Sequence, residues 1–201
     1  FQKKINFILG DLRDYDSVYK AMKGCDAVMH LAALIGIPYS YNSPTAYIKT
    51  NIEGTFNILE AAKNLKLKQV IVTSTSEVYG TARSKNLREI DPLSAQSPYA
   101  ATKIAADQLS LSYYKSFNLP VKIIRPFNTF GPRQSLRAVI PTIVSQFIKN
   151  KNSIIRVGNL KATRDFLYVQ DLCSAYEKVF KSKKLFGEVV NVGSNFEVSV
   201  E

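Results

Sequence analysis

The chain has 201 residues, 46% of them hydrophobic and 21% charged, which is enough for one folded core and unlike a disordered or low-complexity chain. The formal net charge is +11, but the lysines are spread along the chain with no cluster interleaved with aromatics and no zinc-finger spacing, which reads as a solvated surface with no nucleic-acid partner. Two isolated cysteines, Cys25 and Cys173, and one histidine, His30, argue against a disulfide scaffold or a protein-built metal site and for a cytoplasmic setting, and no apolar run is long enough to cross a membrane.

Ile5–Leu9 reads as a short apolar strand ending at Gly10–Asp11. Asp14 opens a helix through Met22 that Gly24 stops. Ala27–Leu31 is a second strand, apolar almost throughout, as expected of a sheet covered on both faces. The following LAALIGIPYSYNSP is too rich in Gly, Pro and Ser to be regular throughout. Pro44 then precedes a long helix to Asn64, with Ile48, Ile52, Phe56, Leu59 and Ala62 at helical spacing. Val70–Thr73 is a third strand, Ala82–Ser97 a polar loop, Pro98 the start of another helix, and Val121–Ile124 a fourth strand. From Gly131 the spacing predicts a helix over Leu136–Ile148, a short strand at Ile154–Val157 and a polar-aromatic loop over Ala162–Asp171. A helix over Leu172–Phe180 and a last strand at Val189–Val192 follow, and the chain closes on FEVSVE.

This alternation predicts an α/β fold with a mostly parallel sheet. Ligands in such folds sit beyond the carboxyl ends of the strands, where Asp11, the Ala32–Ser43 loop, Thr73–Glu77 and Pro126–Arg133 all fall.

Tyr99 and Lys103 are four residues apart on the Pro98 helix and so share one face. An ammonium beside a phenol favours the phenolate, lowering a pKa of about 10 toward the working range. Such a pair can move a proton while an alcohol is oxidised or a carbonyl reduced. Tyr19 and Lys23 repeat the spacing, but no strand and polar loop lead into them, whereas QVIVTSTSEVYG at Gln69–Gly80 precedes Tyr99. Thr73, Ser74, Thr75 and Ser76 alone would be a hydroxyl-rich turn. With Glu77 and the Tyr/Lys helix they read as a site, Thr75 hydrogen-bonding the reacting oxygen and Glu77 acting as a base. Asp11 is either a turn residue or an adenine contact, and His30 reads as a satisfied, partly buried histidine. Arg133 and Arg164 are surface ion-pair residues or a clamp on a diphosphate, whose oxygens a guanidinium matches bidentately. Asn128 caps a turn or holds the same phosphates.

GDLRD at Gly10–Asp14, HLAA at His30–Ala33, TSTSEVYG at Thr73–Gly80, SPYAATK at Ser97–Lys103 and RPFNTFGPR at Arg125–Arg133 occur in this order, followed by TRDFLYVQD at Thr163–Asp171 and NVGS at Asn191–Ser194. Together they resemble the extended short-chain dehydrogenase/reductase family of nucleotide-sugar epimerases and dehydratases, over essentially the whole chain. Within it, ALIGIPYSY at Ala33–Tyr41 is similar to LegB-type 4,6-dehydratases acting on UDP-N-acetylglucosamine. The resemblance implies a Rossmann-like doubly wound sheet, with residues 1–130 part of an NAD-binding domain and 131–201 part of a substrate-binding region interleaved with it. It implies Thr75, Glu77, Tyr99 and Lys103 as catalytic residues. Asp11, Leu12, Leu31, Ala32, Ala33, Thr73, Tyr99, Lys103 and Pro126 would contact NAD, and Ser76, Asn128, Arg133 and Arg164 the UDP-sugar. A homodimer is the family expectation.

Two departures stand out. Where many such dehydratases carry Asp-Glu, this chain has Ser76-Glu77, a form that also resembles UDP-glucuronate decarboxylases; a 4-epimerase or a non-catalytic remnant of the family would carry it as well. The family also opens with a strand, a glycine-rich turn, a helix and a second strand, whereas this sequence begins at what reads as the third strand and stops where the family continues. The expectation is a chain truncated at both ends, lacking the first two strands and the glycine-rich turn, with little NAD binding or activity alone.

Overall fold

The computed structural model describes residues 5–82, 84, 86–149 and 154–201. Its main sheet is parallel throughout and runs, in spatial order, β1 (Ala27–His30), β2 (Gln69–Thr73), β3 (Val121–Pro126) and β6 (Val189–Val192). Val70 sits opposite Val121, and Ile123 opposite Val189. Consecutive strand residues point to opposite faces, and here both faces are covered. Val70, Val72, Val121 and Ile123 pack with Val18, Met22, Ile58 and Leu59 of the helices on one side. Ile71 and Ile124 pack with Tyr176 and Val179 on the other.

The first layer contains α1 (Tyr15–Met22), α4 (Gly54–Asn64) and α5 (Pro98–Phe117). Asp14 caps α1, its carboxylate accepting from the Asp16 N–H at 3.0 Å, and Gly24 leaves the helix at φ +83°. Ser97 caps α5, with Pro98 in the first turn, and Asn118 ends it in the left-handed region. The predicted helix from Pro44 to Asn64 is interrupted: α3 (Pro44–Tyr47) leads into a π-helical stretch, Ile48–Glu53, before α4. Within that stretch Asn51 is buried, and its amide exchanges hydrogen bonds with the Leu34 backbone (2.8 and 3.0 Å) and donates to Thr102 (3.0 Å). The loop after β1 is thereby tied to α5. It is more regular than predicted, since it contains α2 (Ile37–Asn42), with Pro38 in the first turn.

A second, small sheet stands beyond the carboxyl end of β3. It pairs β4 (Asn128–Phe130) parallel to β5 (Thr163–Tyr168), and β5 antiparallel to β7 (Glu197–Ser199). Between them run α6 (Val139–Lys149) and α7 (Val169–Lys181), the latter carrying Tyr176 and Val179 onto the main sheet. Several expectations are corrected here. Ile5–Leu9 forms no strand: among the described residues β1 pairs only with β2, so the segment has no ladder to join, and Ile5, Phe7 and Leu9 lie exposed. Ile154–Val157 is likewise irregular. Ala162–Asp171, expected as a loop, contains β5, and the closing FEVSVE contains β7.

Candidate active site

Tyr99 lies in the first turn of α5, 7% exposed, with its ring edge-on to Tyr47 at 6.2 Å. Thr75 follows β2 and caps a short 3-10 turn, Ser76–Tyr79, its hydroxyl accepting from the Glu77 N–H at 3.2 Å. The phenol and its neighbours therefore meet at the carboxyl end of β2. Burial pushes Tyr99 up to about 12; the hydrogen bond with Thr75 opposes this, and the nearby Glu77 carboxylate adds to it. Lys103, 3% exposed, donates to the Thr73 carbonyl at 2.5 Å. Burial brings its ammonium down to about 8 against the pull of Asp107. The expected depression of the phenol by Lys103 is thus corrected: the ammonium is turned to a backbone carbonyl, and desolvation governs both groups.

Neighbouring side chains complete a buried polar shell. His30 packs its Nε2 3.1 Å from the Thr55 hydroxyl and is held neutral, at about 4, by burial and by Lys103. The Thr73 hydroxyl shares a hydrogen bond with the Tyr176 phenol of α7. Asp107 and Arg125 form an ion pair at 2.9 Å, both almost wholly buried. Arg125 also donates to the Tyr79 hydroxyl, which donates to Asn191 on β6 (2.8 Å each). Asp107, Tyr79 and Asn191 escaped the sequence reading. The one signal available for Asp107 was its place four residues after Lys103, on the same helix face.

A cleft of about 730 Å³ opens between the 3-10 turn and the small sheet. Ser76, Glu77, Asn128 and Arg164 line it, with Phe127, Asp165, Asn191 and Phe196, which the sequence reading did not single out. Asp165 is committed to structure, its carboxylate accepting from the Ser194 and Asn195 backbone N–H groups (2.8 and 2.9 Å). Arg133 is exposed at φ +69° and does not line the cleft, so the expected four-residue grouping with Ser76, Asn128 and Arg164 is not formed here. Asn128 opens β4, and Arg133 lies in the turn that follows it.

On the other side, Leu31 and Ala32 are exposed and Ala33 half-buried just past β1; Thr73 and Pro126 hold the corresponding places on β2 and β3. All five stand at the carboxyl ends of the parallel strands, and Thr73 meets Lys103 through its carbonyl. Asp11 is exposed and bound to Arg13, whose guanidinium holds the carboxyl down at about 2, while the Leu12 carbonyl accepts from Asn57 at 2.8 Å. Among the described residues no group of three or more His, Cys, Asp and Glu side chains could hold a metal ion. No described helix is long and apolar enough to cross a membrane.

The family profile described as GDP-mannose 4,6 dehydratase matches residues 1–201. A dTDP-D-glucose 4,6-dehydratase of Dictyostelium discoideum is 36% identical over 98% of this chain, which spans 48% of that protein. Among solved structures, the dTDP-glucose 4,6-dehydratase DesIV of Streptomyces venezuelae, with NAD bound, superposes with a TM-score of 0.88 at 29% identity, over 95% of this chain and 59% of its own. The UDP-N-acetylglucosamine 4-epimerase of Methanobrevibacter ruminantium superposes at 0.87 and 35% identity, over 95% of this chain and 62% of its own. These matches correct the narrower resemblance: they are dTDP-glucose dehydratases and UDP-sugar epimerases, not LegB-type enzymes in particular. The chain spans about half to three-fifths of the length of the relatives it matches.

Proposed function

Since the chain belongs to the GDP-mannose 4,6-dehydratase family of nucleotide-sugar epimerases and dehydratases, we propose that the protein carrying it is an NAD-dependent nucleotide-sugar 4,6-dehydratase, with UDP-N-acetylglucosamine as substrate. The observation that carries this reading is the meeting of Tyr99, Thr75 and Glu77 at the end of β2, with Glu77 facing a cleft large enough for a sugar. Asp11, Leu12, Leu31, Ala32, Ala33, Thr73, Tyr99, Lys103 and Pro126 would hold NAD, which would supply the acceptor and later the donor of the hydride. Tyr99 takes the proton of the C4 hydroxyl, and Thr75 hydrogen-bonds the same oxygen as it becomes a ketone. That ketone acidifies C5. Glu77 removes the C5 proton and water leaves from C6; the C4 hydride is then returned to C6 and C5 regains a proton as Tyr99 gives up the one it took, leaving a 4-keto-6-deoxy sugar. Ser76 is too weak an acid to protonate the departing hydroxyl at neutral pH, so Glu77 passes on the proton it has taken. Ser76, Asn128 and Arg164 line the nucleotide-sugar side.

The Ser76-Glu77 pair supports one second reading, a UDP-glucuronate decarboxylase, in which no C6 water is lost. Either reaction begins with Tyr99. In the Tyr99→Phe variant kcat falls by about 10²–10⁴-fold with nucleotide-sugar affinity little changed, the contribution expected of a general base. Full turnover in that variant removes the phenol from the mechanism.

A further inference from the structure

A line of buried charge lies below the phenol, and the reaction above does not use it directly. Asp107 is fully buried one turn after Lys103 on α5, and Arg125 of β3 is 2% exposed. Arg125 sets Nε and Nη2 each 2.9 Å from Asp107 Oδ2, and gives Nη1 to Tyr79. The other carboxylate oxygen, Oδ1, and the buried Ser74 hydroxyl lack hydrogen-bond partners of good geometry, although Ser74 is near enough to favour the ionised carboxyl.

A buried ion pair by itself says little, because desolvation consumes most of the attraction. The third charge makes the difference. Lys103 reaches away to the Thr73 carbonyl, and Asp107 stands one turn after it on the same face of α5. The two charges are close without pairing directly. We propose that Asp107, anchored by Arg125, is a positioning residue of this site: its carboxylate, one turn along the same face of α5, holds Lys103 as a cation against the Thr73 carbonyl.

This rests on the reading of Tyr99 and Lys103 as the proton-transfer pair. The groups facing Lys103 from other elements are His30 on β1 and the Thr73 carbonyl on β2, while Arg125 on β3 bears on Asp107; Glu77, Tyr47 and Asp107 itself bear on Tyr99. His30 is neutral and Arg125 is spent on Asp107, which leaves the Asp107 carboxylate as the charge that opposes desolvation at Lys103.

The test is NMR titration of the protein with isotope-labelled Lys Nζ and Asp Cγ. In the wild type, Asp107 reads as a carboxylate and Lys103 as an ammonium at neutral pH. In Asp107→Asn, which keeps the shape and an acceptor for Arg125, the Lys103 midpoint falls by about one pH unit or more, and Asp107→Glu restores it. An unmoved Lys103 midpoint in Asp107→Asn, or a protonated Asp107 at neutral pH in the wild type, overturns the proposal. The wild-type arm decides even where the variant does not fold. Neither arm needs turnover, so a failed 4,6-dehydratase assay leaves this result readable on its own.

Discussion

Tyr99 keeps its proton in this structure because burial outweighs the help of Thr75, so its activation depends on charge brought close to it. The four residues proposed for catalysis stand out in the sequence because their order along the chain is distinctive, Thr75 and Glu77 following β2 and Tyr99 and Lys103 lying in the first two turns of α5. The shell around them was not, since Asp107, Arg125, Tyr79 and Asn191 come from four separate segments that only the fold brings together. His30 offers a clean check on how dry this shell is. Its folded pKa, about 4, lies below the ordinary value of 6.5, so the unfolded chain binds the extra proton first. The neutral imidazole therefore adds nothing further above pH 6.5, and stability is lost as pH falls from there toward 4, by about 3 kcal/mol in all. Asp107, pushed upward by burial, titrates with the opposite sign, so the comparison is with His30→Gln. Urea midpoints of that variant lose this acid-side decline; an identical decline in both proteins shows that His30 is not desolvated.

At the scale of elements, α7 is tied to the sheet by an unusual cap. Lys122, wholly buried on β3, sends its ammonium to the Val179 carbonyl at 2.8 Å and the Ser182 carbonyl at 2.5 Å, closing the end of α7, and lies over the Phe186 ring at 4.4 Å. Lys122→Met strands these carbonyls and costs about 2–3 kcal/mol, read as a lowered Tm in thermal unfolding; an unchanged Tm shows that the cap is dispensable. The same lysine explains part of what the sequence concealed, because a charge in the middle of a strand does not announce a buried position. The four strands of the main sheet were legible from their apolar runs. β4, β5 and β7 were not: they are three to six residues long, half-exposed and rich in polar side chains, and their partners are distant in sequence. The π-helical turn left no mark either, since its residues continue the helical spacing of their neighbours.

Over the molecule as a whole, the parallel sheet delivers Thr75, Tyr99 and Lys103 to one end, and the small sheet closes the cleft that Glu77 faces. The excess of lysine and arginine over acidic residues, +11 in net charge, suits a ligand carrying a diphosphate without specifying which sugar it bears. Two chemistries remain compatible with Glu77 beside Ser76, and they part company in the mass of the product. The decisive measurement is therefore mass spectrometry of nucleotide sugars after incubation of the protein carrying this chain with NAD and, separately, UDP-N-acetylglucosamine, dTDP-glucose and UDP-glucuronate. The account predicts that UDP-N-acetylglucosamine loses the mass of one water. Loss of carbon dioxide from UDP-glucuronate, or a product equal in mass to its substrate, contradicts it.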